Sequence, residues 1–460
     1  MSIVFRDAEI RGARVDVRIV GDRIEEIGHR LPYGSAELID AHGGALIPGL
    51  HDHHLHLLAM AAARRSVDCG PPAVTDLSSL RRALRAHPGS GWIRGTGYHE
   101  SVAGDLDRDV LDGLVADRPV RVQHRSGALW MLNSAALRQV SRVLDDSADV
   151  ERDSAGVPTG RLWRYDSRLR PALPTDSPDL ATLGQELARY GVTGVTDATP
   201  DVDRTAIELL ATAHQTGALP QSITLLGADD RTIDEGLAIG PRKLLLRDHD
   251  LPTFGELSAS IEAAHRAHRA VAVHCVSRES LLLTLAALDL VGSLDGDRIE
   301  HASVVPEGVE DRIARLGLRV VTQPGFVFDR GDDYLRDVVP DDLPHLYPYA
   351  RLLRAGARVG LSSDAPHGPL DPWAVMRSAV ERTTRGGRVL GPVESVMPVT
   401  ALAAYLGAPG DPGGPPRRVA VGERADLCLL HSPLHHAVTA LDRALVRTVV
   451  IAGHLVVRES

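Results

Sequence analysis

An α/β chain built on a (β/α)8 TIM barrel is the fold class predicted here. A small composite β-sandwich domain formed by both termini and a long insertion after the first barrel strand complete it. Three observations carry that expectation: β-rich ends without a long helix, eight strand-like runs that alternate with helix-like segments, and one gap too long for a single crossover. The first 45 residues hold short β-like runs at 2–5, 13–20, 23–27 and 36–40, separated by turn signals such as Val20-Gly21-Asp22. The last 45 read the same way, with runs at 426–430 and 446–457 broken at Ala452-Gly453-His454. Residues 1–45 and 417–460 are therefore expected to close one composite β domain, since chain ends often lie near each other.

The barrel is expected over residues 46–416. Its eight runs are 45–50, 194–197, 222–226, 243–246, 271–274, 298–301, 319–322 and 358–362, with helices expected at 203–216, 253–269, 280–290, 307–316 and 343–355. Residues 57–190 or so form the insertion, which carries strand-like pieces of its own at 91–98 and 119–124. Structured insertions of that length in compact enzymes commonly serve as lids over a site. The biased stretch 407–416, rich in Gly and Pro, reads as the linker from barrel to terminal sheet.

Composition removes several classes of function. The 43 glycines and 29 prolines among 460 residues fall well short of the roughly 25–30% that marks low-complexity chains. Lys plus Arg number 51 against 61 Asp plus Glu, a net charge of −10 with both signs dispersed, so no basic face suited to a phosphate backbone is advertised. Cys69, Cys275 and Cys428 lie far apart and form no C-x-x-C pair. No apolar run approaches the ~18 residues of a membrane span. A cytoplasmic protein with a small-molecule substrate, alone or as a homo-oligomer, and with neither nucleic acid nor membrane as partner, is expected. No serine-hydrolase elbow, phosphate loop or dinucleotide fingerprint is present.

The unusual count is histidine, at 21. At the first barrel run stands Pro48-Gly49-Leu50-His51-Asp52-His53-His54-Leu55-His56. Side chains alternate along a strand, so Asp52, His54 and His56 share one side while His51 and His53 share the other. An H-x-H pair alone is weak evidence. Three further strands, however, end in the same kind of residue: His274 after 271–273, His301 after 298–300 and Asp364 just past 358–362. Barrel sites are assembled from the C-terminal ends of several strands. Neutral imidazole and carboxylate oxygen bind Zn2+ and related divalent ions, which lower the pKa of a water to ~7. Asp364 could then hold that nucleophile, take its proton and pass it to a leaving amine. Lys243 opens the fourth run, where it is either a desolvated amine or a snorkelling surface lysine.

Around these residues the motifs P-G-L-x-D-x-H-x-H (48–56), G-V-T-G-V-T-D (191–197), I-E-H-A (299–302), Thr322-Gln323-Pro324 and S-S-D-A-P (362–366) resemble the amidohydrolase superfamily. Within it the likeness is to the family-3, YtcJ-like branch that includes N-substituted formamide deformylases. Residues 422–427 and 452–454 resemble that branch's closing sheet, so the likeness spans the chain. The resemblance implies a metal-dependent hydrolase of non-peptide, amide-like C–N bonds. His54 and His56 would hold the more buried ion, His274 and His301 the more exposed one, and Asp364 would be both ligand and base. Lys243 takes the place of a lysine that CO2 carboxylates in two-metal relatives. After His274 the chain departs from the common Gly-Asp turn and reads Cys275-Val276-Ser277-Arg278-Glu279-Ser280.

A deaminase and a lactonase or esterase on the same scaffold are the near alternatives, and a non-catalytic scaffold or binding protein is the distant one. Aromatic and polar residues at strand ends suit a small-molecule pocket, which puts Tyr98, His124 and Phe326 forward as substrate contacts. Glu262, His265 and His268 fall on an outer helix face, where solvent contact explains them.

Overall fold

The computed structural model describes residues 2–174, 178–228 and 236–459. They divide into two compact units, one of residues up to 57 together with those from 180 onward, the other of residues 58–179. The second unit interrupts the first in sequence and is the inserted unit below.

In the larger unit, two four-stranded sheets are built from the chain ends. One has the order Arg23–Gly28, Ala13–Val20, Ser2–Ile10, Glu37–Asp40. The other runs His454–Arg458, Val446–Ile451, Leu427–Leu430, Leu46–Pro48. Alternating apolar residues of both share one cluster, among them Ile3, Phe5, Val17 and Ile24 from the start and Leu427, Leu429 and Val450 from the end. Burying each such side chain contributes about 1.5–3 kcal/mol.

Two further sheets are wholly parallel. The strands Leu50–Leu55, Val192–Asp197, Ser222–Leu225 and Leu237–Ile239 form one; Arg242–Leu244, Val271–Cys275, Arg298–His301, Arg319–Thr322 and Arg358–Leu361 form the other. The strands Leu50–Leu55, Val192–Asp197, Arg298–His301 and Arg319–Thr322 are buried throughout, and amphipathic helices such as Arg204–Gln215 and Phe254–Arg266 alternate with the strands of these sheets.

The ladders therefore give two sheets, where one continuous eight-stranded ring was expected. At one seam Pro241 supplies no N–H, and the chain changes partners around it: Gly240 N donates to Leu225 O at 2.9 Å, Arg242 N to Ala270 O at 2.7 Å. At the other seam the edge amides of His51 and Leu361 are taken by the carbonyls of Tyr405 and Ala404, at 2.8 and 3.4 Å. The expected first run, 45–50, also proves to be two elements. Leu46–Pro48 pairs antiparallel with Leu427–Leu430, and only Leu50–Leu55 joins the parallel sheet. The Pro48-Gly49 step separates them, so His51, His53 and His54 lie inside the strand and His56 just past its end.

The inserted unit carries a six-stranded sheet ordered Val150–Arg152, Pro158–Trp163, Leu129–Leu132, Val120–His124, Ile93–Tyr98, Val67–Asp68. Its own core includes Leu80, Leu84, Ile93, Leu111 and Val122. Among the described residues no helix is long and apolar enough to cross a membrane.

Candidate metal centre

Alternation in Leu50–Leu55 divides its histidines as the sequence implies. His51 Nε2 lies 2.9 Å from Thr196 Oγ1, and its ring is 4.8 Å from that of His53. Two glycines make room for this pair: a Cβ at Gly194 would meet His51 Nδ1 at 2.5 Å, and one at Gly360 would meet His53 Cδ2 at 3.2 Å. On the other face, Asp52 accepts from the amides of His54 (3.1 Å) and Ser363 (3.2 Å), while His54 O accepts from Asp364 N at 2.9 Å. The same strand thereby positions the segment that carries Asp364. Burial raises the Asp52 carboxyl to about 7 against the lowering effect of those bonds.

Asp364 and His301 both have left-handed backbones, with φ of 53° and 71°. That conformation costs a non-glycine residue about 1–2 kcal/mol and is held only where surrounding contacts impose it. Here it turns both side chains toward His54 and His56. One ligand atom each from His54, His56 and Asp364 lies within 4.8 Å of the others. Asp364 Oδ1 is 3.2 Å from His56 Nε2 and 3.5 Å from His54 Nε2, and the His301 ring is 4.7 Å from that of His54. His274 follows, its ring 4.4 Å from that of His301.

Hydrogen bonds decide which imidazole nitrogens carry lone pairs. His54 Nδ1 donates to Glu300 Oε2, so its Nε2 faces the site without a proton. Gln323 spends its Nε2 donors on Val321 O and Ser362 Oγ, which makes Oε1 the acceptor for His301 Nδ1 at 2.9 Å and leaves His301 Nε2 bare. His56 Nδ1 rests 3.1 Å from Thr199 Oγ1, whose amide is held by Asp197 at 2.9 Å.

Three buried polar atoms at this place have no hydrogen-bond partner among the described residues: His301 Nε2, Asp364 Oδ1 and Lys243 Nζ. At His54 and Asp364, lone pairs face one another across 3.5 Å. A cation reconciles that arrangement, and two neutral imidazoles with a carboxylate are a donor set suited to Zn2+. Protonation follows the same logic. Burial, with neighbouring positive charge, holds His54, His274 and His301 below the ordinary histidine value. Burial would raise Asp364, but the adjacent His56, His54 and His301 imidazoles hold it well below the usual carboxylate range. Burial also lowers the Lys243 ammonium. Each shift favours the form that binds a metal.

Glu300 is the residue that reading the sequence missed. It is fully buried, with Oε2 on His54 and Oε1 on Arg298 Nε, while Arg298 Nη2 reaches His53 O at 3.2 Å. Arg298 and Glu300, two charges at i and i+2 in a buried strand, were the available signal. Glu300→Gln is expected to weaken zinc binding about 10- to 100-fold, read by competition with a chromogenic chelator. An unchanged affinity would refute the orienting role.

Of the other expected contacts, Phe326 lies beside the centre's loops. It is 5% exposed, and its ring is 6.1 Å from that of Tyr347. Tyr98 and His124 belong to the inserted unit. Tyr98 is 1% exposed in that unit's core and donates to Gly104 O at 2.8 Å. His124 Nδ1 accepts from Ser126 N, and its Nε2 is 3.2 Å from Glu100 Oε2. Glu279 is exposed on the first turn of the helix Arg278–Val291.

The amidohydrolase family model matches residues 37–457. The chain is similar to N-substituted formamide deformylase of Arthrobacter pascens, at 28% identity over 490 aligned positions covering 92% of this chain and 89% of that one. It is also similar to the YtcJ amidohydrolase of Bacillus subtilis, at 26% identity with 76% of each chain covered. Among solved structures, a metal-dependent hydrolase from Pyrococcus horikoshii superposes with a TM-score of 0.73 at 20% identity, covering 99% of this chain and 100% of that one.

Proposed function

The chain belongs to the amidohydrolase family, and on that premise we propose that it hydrolyses a non-peptide, amide-like C–N bond of a small molecule. The observation that carries this reading is the convergence of His54, His56 and Asp364 within 4.8 Å, at strand ends and beside the bare Nε2 of His301. We read the two parallel sheets as the halves of a (β/α)8 cylinder and the terminal sheets as its accompanying sandwich.

His54, His56 and Asp364 would hold a first divalent ion, most naturally zinc, while His301, His274 and a CO2-carboxylated Lys243 would hold a second. Such an ion supplies positive charge that lowers the pKa of a water and polarises a carbonyl oxygen. Hydrolysis adds the hydroxyl of water to the carbonyl carbon and its proton to the nitrogen, which releases a carboxylic acid and an amine. Asp364 would manage that proton. Its Oδ1 takes it from the water and returns it to the departing nitrogen, a task for which a carboxylate ionised across neutral pH is suited. Glu300 and Gln323 keep the imidazoles turned so that their Nε2 atoms stay on the site.

The test is a screen of zinc-replete protein against N-acyl amines, formamides, cyclic imides and lactones. Turnover of amides or formamides that disappears on chelation and returns with zinc is expected. Turnover confined to lactones would overturn the C–N assignment.

A further inference from the structure

The helix Gly325–Asp337 begins three residues after the strand Arg319–Thr322 ends, so its first turns lie at the same strand ends as His301 and Asp364. Its acids are matched with arginines. Asp329 pairs with Arg385 at 2.8 Å and Asp332 with Arg388 at 3.0 Å, while Asp333 and Asp337 pair with Arg336 at 2.7 and 2.8 Å. Arg330, half-buried on the same helix, makes no ion pair with an acid among the described residues, although Asp333 stands at i+3, where helical geometry allows one.

The guanidinium is nevertheless held. Its Cζ lies 4.6 Å from the centroid of the Phe326 ring, and Nη2 donates to the His367 carbonyl at 2.9 Å. Phe326 in turn packs against Gly368, where a Cβ would come within 3.2 Å of its ring. His367 is exposed, three residues beyond Asp364, with its ring 5.7 Å from that of His56. Stacking fixes the plane of the guanidinium, and one backbone bond uses a single N–H of its five. An edge remains for a two-pronged acceptor, which is the geometry a carboxylate matches.

We propose that Arg330 binds a carboxylate of the substrate, so that the amides hydrolysed are N-acylated amino acids or close analogues and not neutral formamides. The proposal rests on the hydrolase reading and adds the charge of the substrate to it. A cation at the metal centre together with Arg330 would make this mouth electropositive, which favours capture of an anion.

The experiment titrates zinc-loaded, full-length protein with N-formyl-, N-acetyl- and N-benzoylglycine and with the three matching glycinamides, which differ only in lacking the carboxylate. The carboxylates are expected to bind about 10- to 100-fold more tightly. Arg330→Gln should abolish that preference without altering the affinity for the amides, and Arg330→Lys should restore part of it. In turnover, the loss should appear in KM with kcat and zinc content unchanged. Equal affinities in the parent protein, binding of neither series, or an equal loss for both series in Arg330→Gln would overturn the proposal. A carboxylate preference without hydrolysis of either series would leave the anion site standing and remove the hydrolase reading.

Discussion

Asp364→Asn, assayed at saturating zinc, is expected to turn over its amide substrate about 100- to 10,000-fold more slowly than the parent chain. Asparagine keeps the volume and planar shape of the side chain. It can neither accept a proton from water nor return one to an amine. In the folded chain Asp364 Oδ1 sits 3.2 Å from His56 Nε2 and 3.5 Å from His54 Nε2, with no hydrogen-bond donor aligned on it. That atom is therefore committed to the site and not to holding the loop. The loop is fixed by other means: Asp364 N on His54 O and Ser363 N on Asp52. The substitution should accordingly spare the fold and weaken zinc binding, which is why zinc is supplied in excess. A zinc-replete Asp364→Asn variant with the parent kcat would remove Asp364 from the reaction.

How much of this was legible in the sequence depends on the range over which each feature is encoded. Strand periodicity is local, so the division of His51 and His53 from His54 and His56 could be read directly. His274, His301 and Asp364 stood out because each lies at or shortly after the end of a short strand-like run. Features that depend on distant partners were not readable. Glu300 meets His54 across 246 residues, and nothing in I-E-H-A states which of its residues joins the cluster of His54 and Asp364 and which stands behind it. The strand Leu237–Ile239 is only three residues long and ends just before Gly240-Pro241, so the seam between the two parallel sheets left no periodic signal. Tyr98 shows a further limit: an aromatic residue at a strand end looks the same whether it lines a pocket or fills a core. Its hydroxyl is spent on Gly104 O, and only the folded chain reveals that.

His54→Ala should leave the protein indifferent to zinc. An ion that binds only the folded chain adds about 2.7 kcal/mol to unfolding when present at 100 times its Kd, and this increment should be seen in denaturant melts of the parent. Deleting the imidazole removes the Nε2 aimed at Asp364 and also takes the partner from Glu300 Oε2. Leaving that buried oxygen unsatisfied costs about 1–3 kcal/mol, so the variant should be less stable before any zinc is added. His53→Ala separates the two effects. His53 is equally buried and adjacent in sequence, but it lies on the opposite face, and neither of its ring nitrogens has a hydrogen-bond partner among the described residues. Its removal should cost packing alone and preserve the zinc increment in full. If His54→Ala retained that increment, or His53→Ala lost it, the metal centre would have been placed on the wrong face of the strand.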